Sequence, residues 1–259
     1  MTNFTIFLRK EITEIIRTKW LLVIACVFGG FSILSPLTAR YVSEILSFTL
    51  DALGEDTFGL ALPPPDFTQS YMQFYGDIGQ MGVIALILLS MNVLLRELKS
   101  GTAFTMFMKG LAPGAFVLAK FTARAVALLL ILLVAVSMVQ FYTYLLFEQI
   151  FPFANLISSA LLVWLYLLFI LSFMLFAGAL LKSTAIVALL AFGLWIIMLI
   201  IGAIPRIGQI MPVALSGVRP FEVLSGYHSE YLFWSILVAV ILIAVLLVGC
   251  ARIVKNKEM

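Results

Sequence analysis

Residues 96–120 read RELKSGTAFTMFMKGLAPGAFVLAK, a basic, helix-punctuated break in a chain that is otherwise mostly apolar. Ser100, Gly101 and Thr102 end one helix and are placed to cap the next, through hydroxyls or flexible backbone. Phe104, Phe107, Met108 and Leu111 follow at i, i+3, i+4 and i+7, which predicts a short amphipathic helix over 103–109. Gly110 suits the left-handed turn after it, and Pro113 stops its continuation. The expectation is a short helix held off the ends of two long apolar segments.

Those flanking segments decide the fold class. The chain is 63% hydrophobic with a mean hydropathy of +1.16. Only 11% of residues are charged, against roughly 25% in a soluble domain. Runs free of Asp, Glu, Lys and Arg cover 20–39, 78–95, 125–147, 149–181, 183–205 and 231–251. A bilayer core of about 30 Å needs about 20 apolar residues. The sequence therefore predicts an all-α membrane protein, one domain over 1–259. Its six spans lie at about 20–39, 76–95, 125–147, 154–181, 185–204 and 231–251, with a polar loop over 96–124.

Charge sets the expected orientation. With the N-terminus inside, the inner segments collect thirteen of the 16 basic residues, leaving Arg40, Arg206 and Arg219 outside. Of the 13 acids only Glu11, Glu14, Glu97 and Glu258 fall inside. The positive-inside rule then puts both termini in the cytoplasm. Residues 2–19 carry Phe4, Phe7, Leu8, Ile12, Ile15 and Ile16 on one face, with Arg9, Lys10, Thr13, Glu14, Arg17 and Thr18 largely opposite. An interfacial amphipathic helix is expected, with Phe7 toward the apolar side and Arg9, Lys10, Arg17 and Lys19 near anionic headgroups. Trp20 falls where an interfacial aromatic belongs, and Phe141, Tyr142 and Tyr144 form part of an outer belt. The leader carries acids and no A-x-A site follows, so no cleavable signal peptide is read.

Between spans, residues 40–74 form an acidic outer loop. Tyr41 to Leu53 is a candidate surface helix, and the Pro63-Pro64-Pro65 run is extended. Pro36 is placed to end or kink the first span. Residues 205–230, broken by prolines and glycines, suit outer half-helices too short to cross. Cys26 and Cys250 read as small core residues. Asn92, Ser137 and Gln140 can hydrogen-bond between helices.

Catalytic chemistry is sparse. The one histidine, His228, falls in the last outer loop. No H-E-x-x-H, Cys/His cluster or G-x-S-x-G occurs. Gly178-Ala-Leu-Leu-Lys-Ser183 lacks the second glycine that brings backbone amides onto phosphates. The chain is read as no enzyme, holding no cofactor or metal, and as carrying no ionisable group within its spans of the kind that couples a carrier to an ion. Work for uphill transport would come from another subunit.

The order of parts resembles the membrane subunit of ABC-2 type transporters, a group that includes many prokaryotic exporters. The best match is Glu97, then Ser100-Gly101-Thr102, a short apolar helix, Lys109, Pro113 and Lys120, which are similar to the family's E…GT…K…P…K pattern after span two. Gly114 and Gly110 depart from it, standing where many members have serine or arginine and proline. The resemblance implies an export permease in a prokaryotic cell membrane, paired with a second copy or a second permease. It also implies a separate cytoplasmic ATPase that holds ATP and Mg, and no nucleic-acid partner. On this reading Glu97, Gly101, Thr102, Phe104, Phe107, Met108, Lys109, Pro113 and Lys120 make a coupling element, with the apolar knobs docked in a groove of the ATPase. An ATP-independent carrier or channel, and a membrane assembly or sensor protein, are the alternatives.

Overall fold

The computed structural model describes residues 3–52, 66–227 and 229–256, and no strand occurs among them. The run 63–65 and His228 lie outside the described residues. Helix α1 (Asn3–Arg17) ends at Lys19, whose φ of 59° is left-handed, and the chain turns into α2 (Trp20–Ala52). Pro36 does not end α2. The expected surface helix after Tyr41 is, as far as Ala52, a continuation of that span.

The second span is built in pieces. Asp66 accepts a hydrogen bond from the Thr68 amide (3.3 Å) and opens α3 (Phe67–Asp77). A π-helical segment over Ile78–Gly82 leads to α4 (Val83–Ser90), and a turn precedes α5 (Leu95–Lys99). The short α6 (Thr102–Met108) follows. Next comes α7 (Pro113–Phe147), 35 residues and, at 1.5 Å per residue, about 52 Å long. The helix that carries the third span starts at Pro113, so Lys120 and Arg124 lie inside that helix. Pro113 occupies its first turn, where a missing N–H costs nothing.

Helices α8 (Phe153–Leu180) and α9 (Thr184–Gly202) form the expected hairpin through a turn at 181–183. Then come α10 (Ile207–Ile210), a 3₁₀ turn (Pro212–Ser216) and α11 (Val218–Leu224), too short to cross. The last helix is α12 (Tyr231–Asn256). Among the described residues six segments are long and apolar enough to span a membrane, so the chain is a multi-pass helical membrane protein.

Helix α8 is the pillar: most of its residues are buried, whereas few of those of α9 and α12 are. Those two turn apolar side chains such as Leu189, Phe233 and Val245 outward, as lipid-facing helices do. Gln140 bridges elements as expected: it accepts from the Tyr71 hydroxyl and donates to the Phe151 carbonyl (2.8 Å). Ser137 instead bonds its own helix at Leu133, and Asn92 is exposed. Cys250 is a core residue, but Cys26 is exposed.

Two apolar clusters result. The larger fills the bundle around α8. The smaller lies at the end that carries α6, where Phe7, Leu94, Ala103, Phe116, Leu175 and Val254 meet.

Candidate functional site

The smaller cluster sits beside a set of buried charges that begins in α1. Its inward face is Phe7, Glu11 and Ile15, spaced by four, with Phe4 and Leu8 beside them. An acid therefore occupies the middle of an apolar stripe. Ile12 and Ile16, expected on the same face, are exposed on its flank. Arg9, Arg17 and Lys19 are exposed as well, while Lys10 turns inward.

Lys120 and Arg124, one helical turn apart on α7, meet that acid. The Lys120 ammonium lies 2.8 Å from Glu11 Oε1 and 3.0 Å from Glu97 Oε2. Arg124 Nη1 reaches Glu11 Oε2 at 3.2 Å and donates to the Lys120 carbonyl at the same distance. Lys10 joins Glu11 (3.1 Å), Glu14 (2.9 Å) and Glu97. Three carboxylates, Glu11, Glu14 and Glu97, thus face three cations, Lys10, Lys120 and Arg124, and the set is neutral. Neutrality matters because Glu11 and Lys120 are fully buried, and an isolated charge there would cost several kcal/mol. The Phe7 ring lies under both ammonium groups, 5.2 Å from Lys10 and 5.8 Å from Lys120, and aromatic faces attract cations.

Electrostatics follow from the same contacts. Burial pushes the Glu11 carboxyl upward, but Lys120, Arg124 and Lys10 outweigh it and hold the group below its ordinary value. Burial likewise works against the Lys10 ammonium, and the three carboxylates raise it above its ordinary value. Glu11, Glu14 and Glu97 each place an oxygen within 4.8 Å of the others, a spacing able to hold a metal ion. The Lys10 ammonium pairs with all three, so the protein supplies its own cation there.

The network anchors the 96–120 loop. The Thr102 hydroxyl donates to the Glu97 carbonyl (3.3 Å), as does that of Ser100 (3.4 Å), and the two hydroxyls bond each other (2.8 Å). These side chains thus close the end of α5 rather than cap α6, whose N-cap is Gly101 in left-handed backbone with φ 72°. Gly110 takes φ 85° at the far end. Left-handed backbone costs other residues about 1–2 kcal/mol.

Between these glycines the predicted face divides. Phe107 packs edge-on against Phe116 (5.3 Å between centroids), and Ala103 is fully buried. Phe104 is half-buried and edge-on to Phe107, Met108 is 89% exposed, and Lys109 is exposed. Phe107 is thus held in part by the chain's own packing. Glu97 and Lys120 meet; Phe104 is not brought into that ion pair, nor are the exposed Met108 and Lys109. Glu11 and Arg124 complete the site although neither stood out in the sequence.

Two further charges depart from expectation. Asp77 lies in the second spanning segment and accepts from the Ser35 hydroxyl (3.1 Å), so the spanning helices do carry ionisable groups. Arg219, placed outside by the charge count, is 2% exposed. It donates to Glu222, Ser229 and the Gln209 carbonyl and lies against the Tyr231 ring. It thereby fastens the broken segment to the start of α12.

No family model matches the chain, and no curated protein matches it.

Proposed function

We propose that the chain is the membrane-spanning permease subunit of an ATP-driven exporter of ABC-2 type, in a prokaryotic cell membrane with both termini cytoplasmic. It pairs with a second permease copy and docks two cytoplasmic ATPases, which carry ATP and Mg. The observation that carries this reading is the division of α6. One side packs through the buried Ala103 and through Phe107, which meets Phe116 of α7, while Met108 is exposed and Phe104 half-buried on an element whose root, Glu97, is ion-paired to α1 and α7. An apolar knob of that kind fits a partner's groove. A push on Met108 passes through Phe107–Phe116 packing and the Glu97–Lys120 pair into the third span, as rigid-body transmission requires. Helix α1, with Ile12 and Ile16 exposed beside Arg9 and Arg17, serves as the interfacial helix that braces the lever against the bilayer.

The test is purification of the tagged full chain from native membranes in mild detergent. A P-loop ATPase should co-purify with the wild type, and Phe104→Asp and Met108→Asp should each lose it while eluting as folded protein. Absence of an ATPase, together with ion-driven uptake by the chain alone in liposomes, would replace this reading with an ATP-independent carrier.

A further inference from the structure

A crevice of about 140 Å³ opens beside the ion network, where α1 meets α2 and the inner pieces of the second span approach α7. Trp20, Asn92, Arg96 and Arg124 line it, with Glu14 and Glu97 on the network side. Two of these residues are nearly enclosed: Trp20 and Arg124 are each 4% exposed. The Trp20 indole Nε1–H and the Arg124 Nε–H are both buried without an acceptor. A buried donor without an acceptor is costly, more so when it is charged, so two lining one crevice call for an acceptor. Glu14 is ion-paired to Lys10 at 2.9 Å, and Glu97 to Lys10 and to Lys120 at 3.0 Å, the Glu97 Oε2 atom being held by that ion pair without a hydrogen bond. Arg96 adds an exposed guanidinium that makes no ion pair among the described residues.

We propose that this crevice binds a phosphate group, taken from an anionic phospholipid headgroup or from free phosphate. A phosphate offers several oxygens to converging N–H donors, and guanidinium groups match its geometry. Trp20 is the first residue of the first spanning segment, the level at which headgroup phosphates lie. A phosphate held there joins α1 to three spans, so occupancy stiffens the root of the loop. The inference stands independently of any ATPase partner.

The test uses the full chain, delipidated in dodecylmaltoside and titrated with dioleoylphosphatidylglycerol or with inorganic phosphate, read by native mass spectrometry and tryptophan fluorescence. The wild type should bind phosphatidylglycerol one to one. Trp20→Phe, which keeps an aromatic ring and deletes the N–H, and Arg96→Gln should each weaken binding about tenfold or more, as loss of a charge-assisted hydrogen bond does. Competition by inorganic phosphate would show that the group itself suffices. Variant-sensitive lipid binding without competition would assign the lipid as the source. Arg96 is exposed, so its variant decides the matter alone if Trp20→Phe fails to fold. No saturable binding of either probe, or equal binding by both variants, would overturn the proposal.

Discussion

Lys120 is fully buried and is tolerated there because Glu11 and Glu97 both reach it within 3.0 Å. Removing one partner from a buried ion set typically costs 3–5 kcal/mol. Lys120→Met should therefore destabilise the folded chain by about 3 kcal/mol in denaturant unfolding in micelles. Adding Glu11→Gln should cost less than the two single changes summed, by roughly 0.5–3 kcal/mol, because the substitutions remove the same interaction. The pH profile has a definite sign. Glu11 is depressed on folding, so its contribution is complete above the ordinary carboxylate value of 4.5 and is lost as pH falls through the lower folded value. Lys10 is raised, so its contribution is complete below its ordinary value of 10.5 and fades as pH climbs through the higher folded one. Unfolding midpoints should be flat between these limits, and Glu11→Gln should remove the network's share of the acid limb. An acid limb unchanged in that variant would separate Glu11 from the stability of this end.

At the scale of elements, α6 and α7 mark where reading the sequence succeeds and where it stops. The helix over 103–109 was legible because its two glycines and apolar spacing are local signals, and the helix found is Thr102–Met108. Which face turns inward was not legible, since Phe116, the ring that claims Phe107, is set by how α7 returns. Charge-free runs located six spans but began the third after Arg124, because a count of charges stops at an arginine that the helix passes straight through. Glu11 left one trace, an acid between Phe7 and Ile15 at spacing four. Its partners lie more than a hundred residues away, and no local pattern reports them. The left-handed glycines give a test of the element itself. Gly110→Ala should cost about 1–2 kcal/mol through backbone strain, whereas Met108→Asp, at an exposed position, should change unfolding by under about 0.5 kcal/mol.

The whole molecule joins an ion-paired root and a short helix to a bundle packed round α8. Topology is the first requirement. Three spanning segments, α7, α8 and α9, separate Lys109 from Tyr227, both exposed. In a chain freed of Cys26 and Cys250, single cysteines at these positions should react with an impermeant thiol reagent from opposite sides of oriented vesicles. The crevice of about 830 Å³ near Arg219 opens at the end far from α6. The proposed stroke therefore has to run the length of the bundle, along α7. The most direct measurement is photocrosslinking in native membranes, with a photoreactive residue replacing Met108 and, as a control, Ala103. The account predicts a crosslink from position 108 to a P-loop ATPase and none from the buried position 103. Crosslinks from 108 to lipid alone would contradict it.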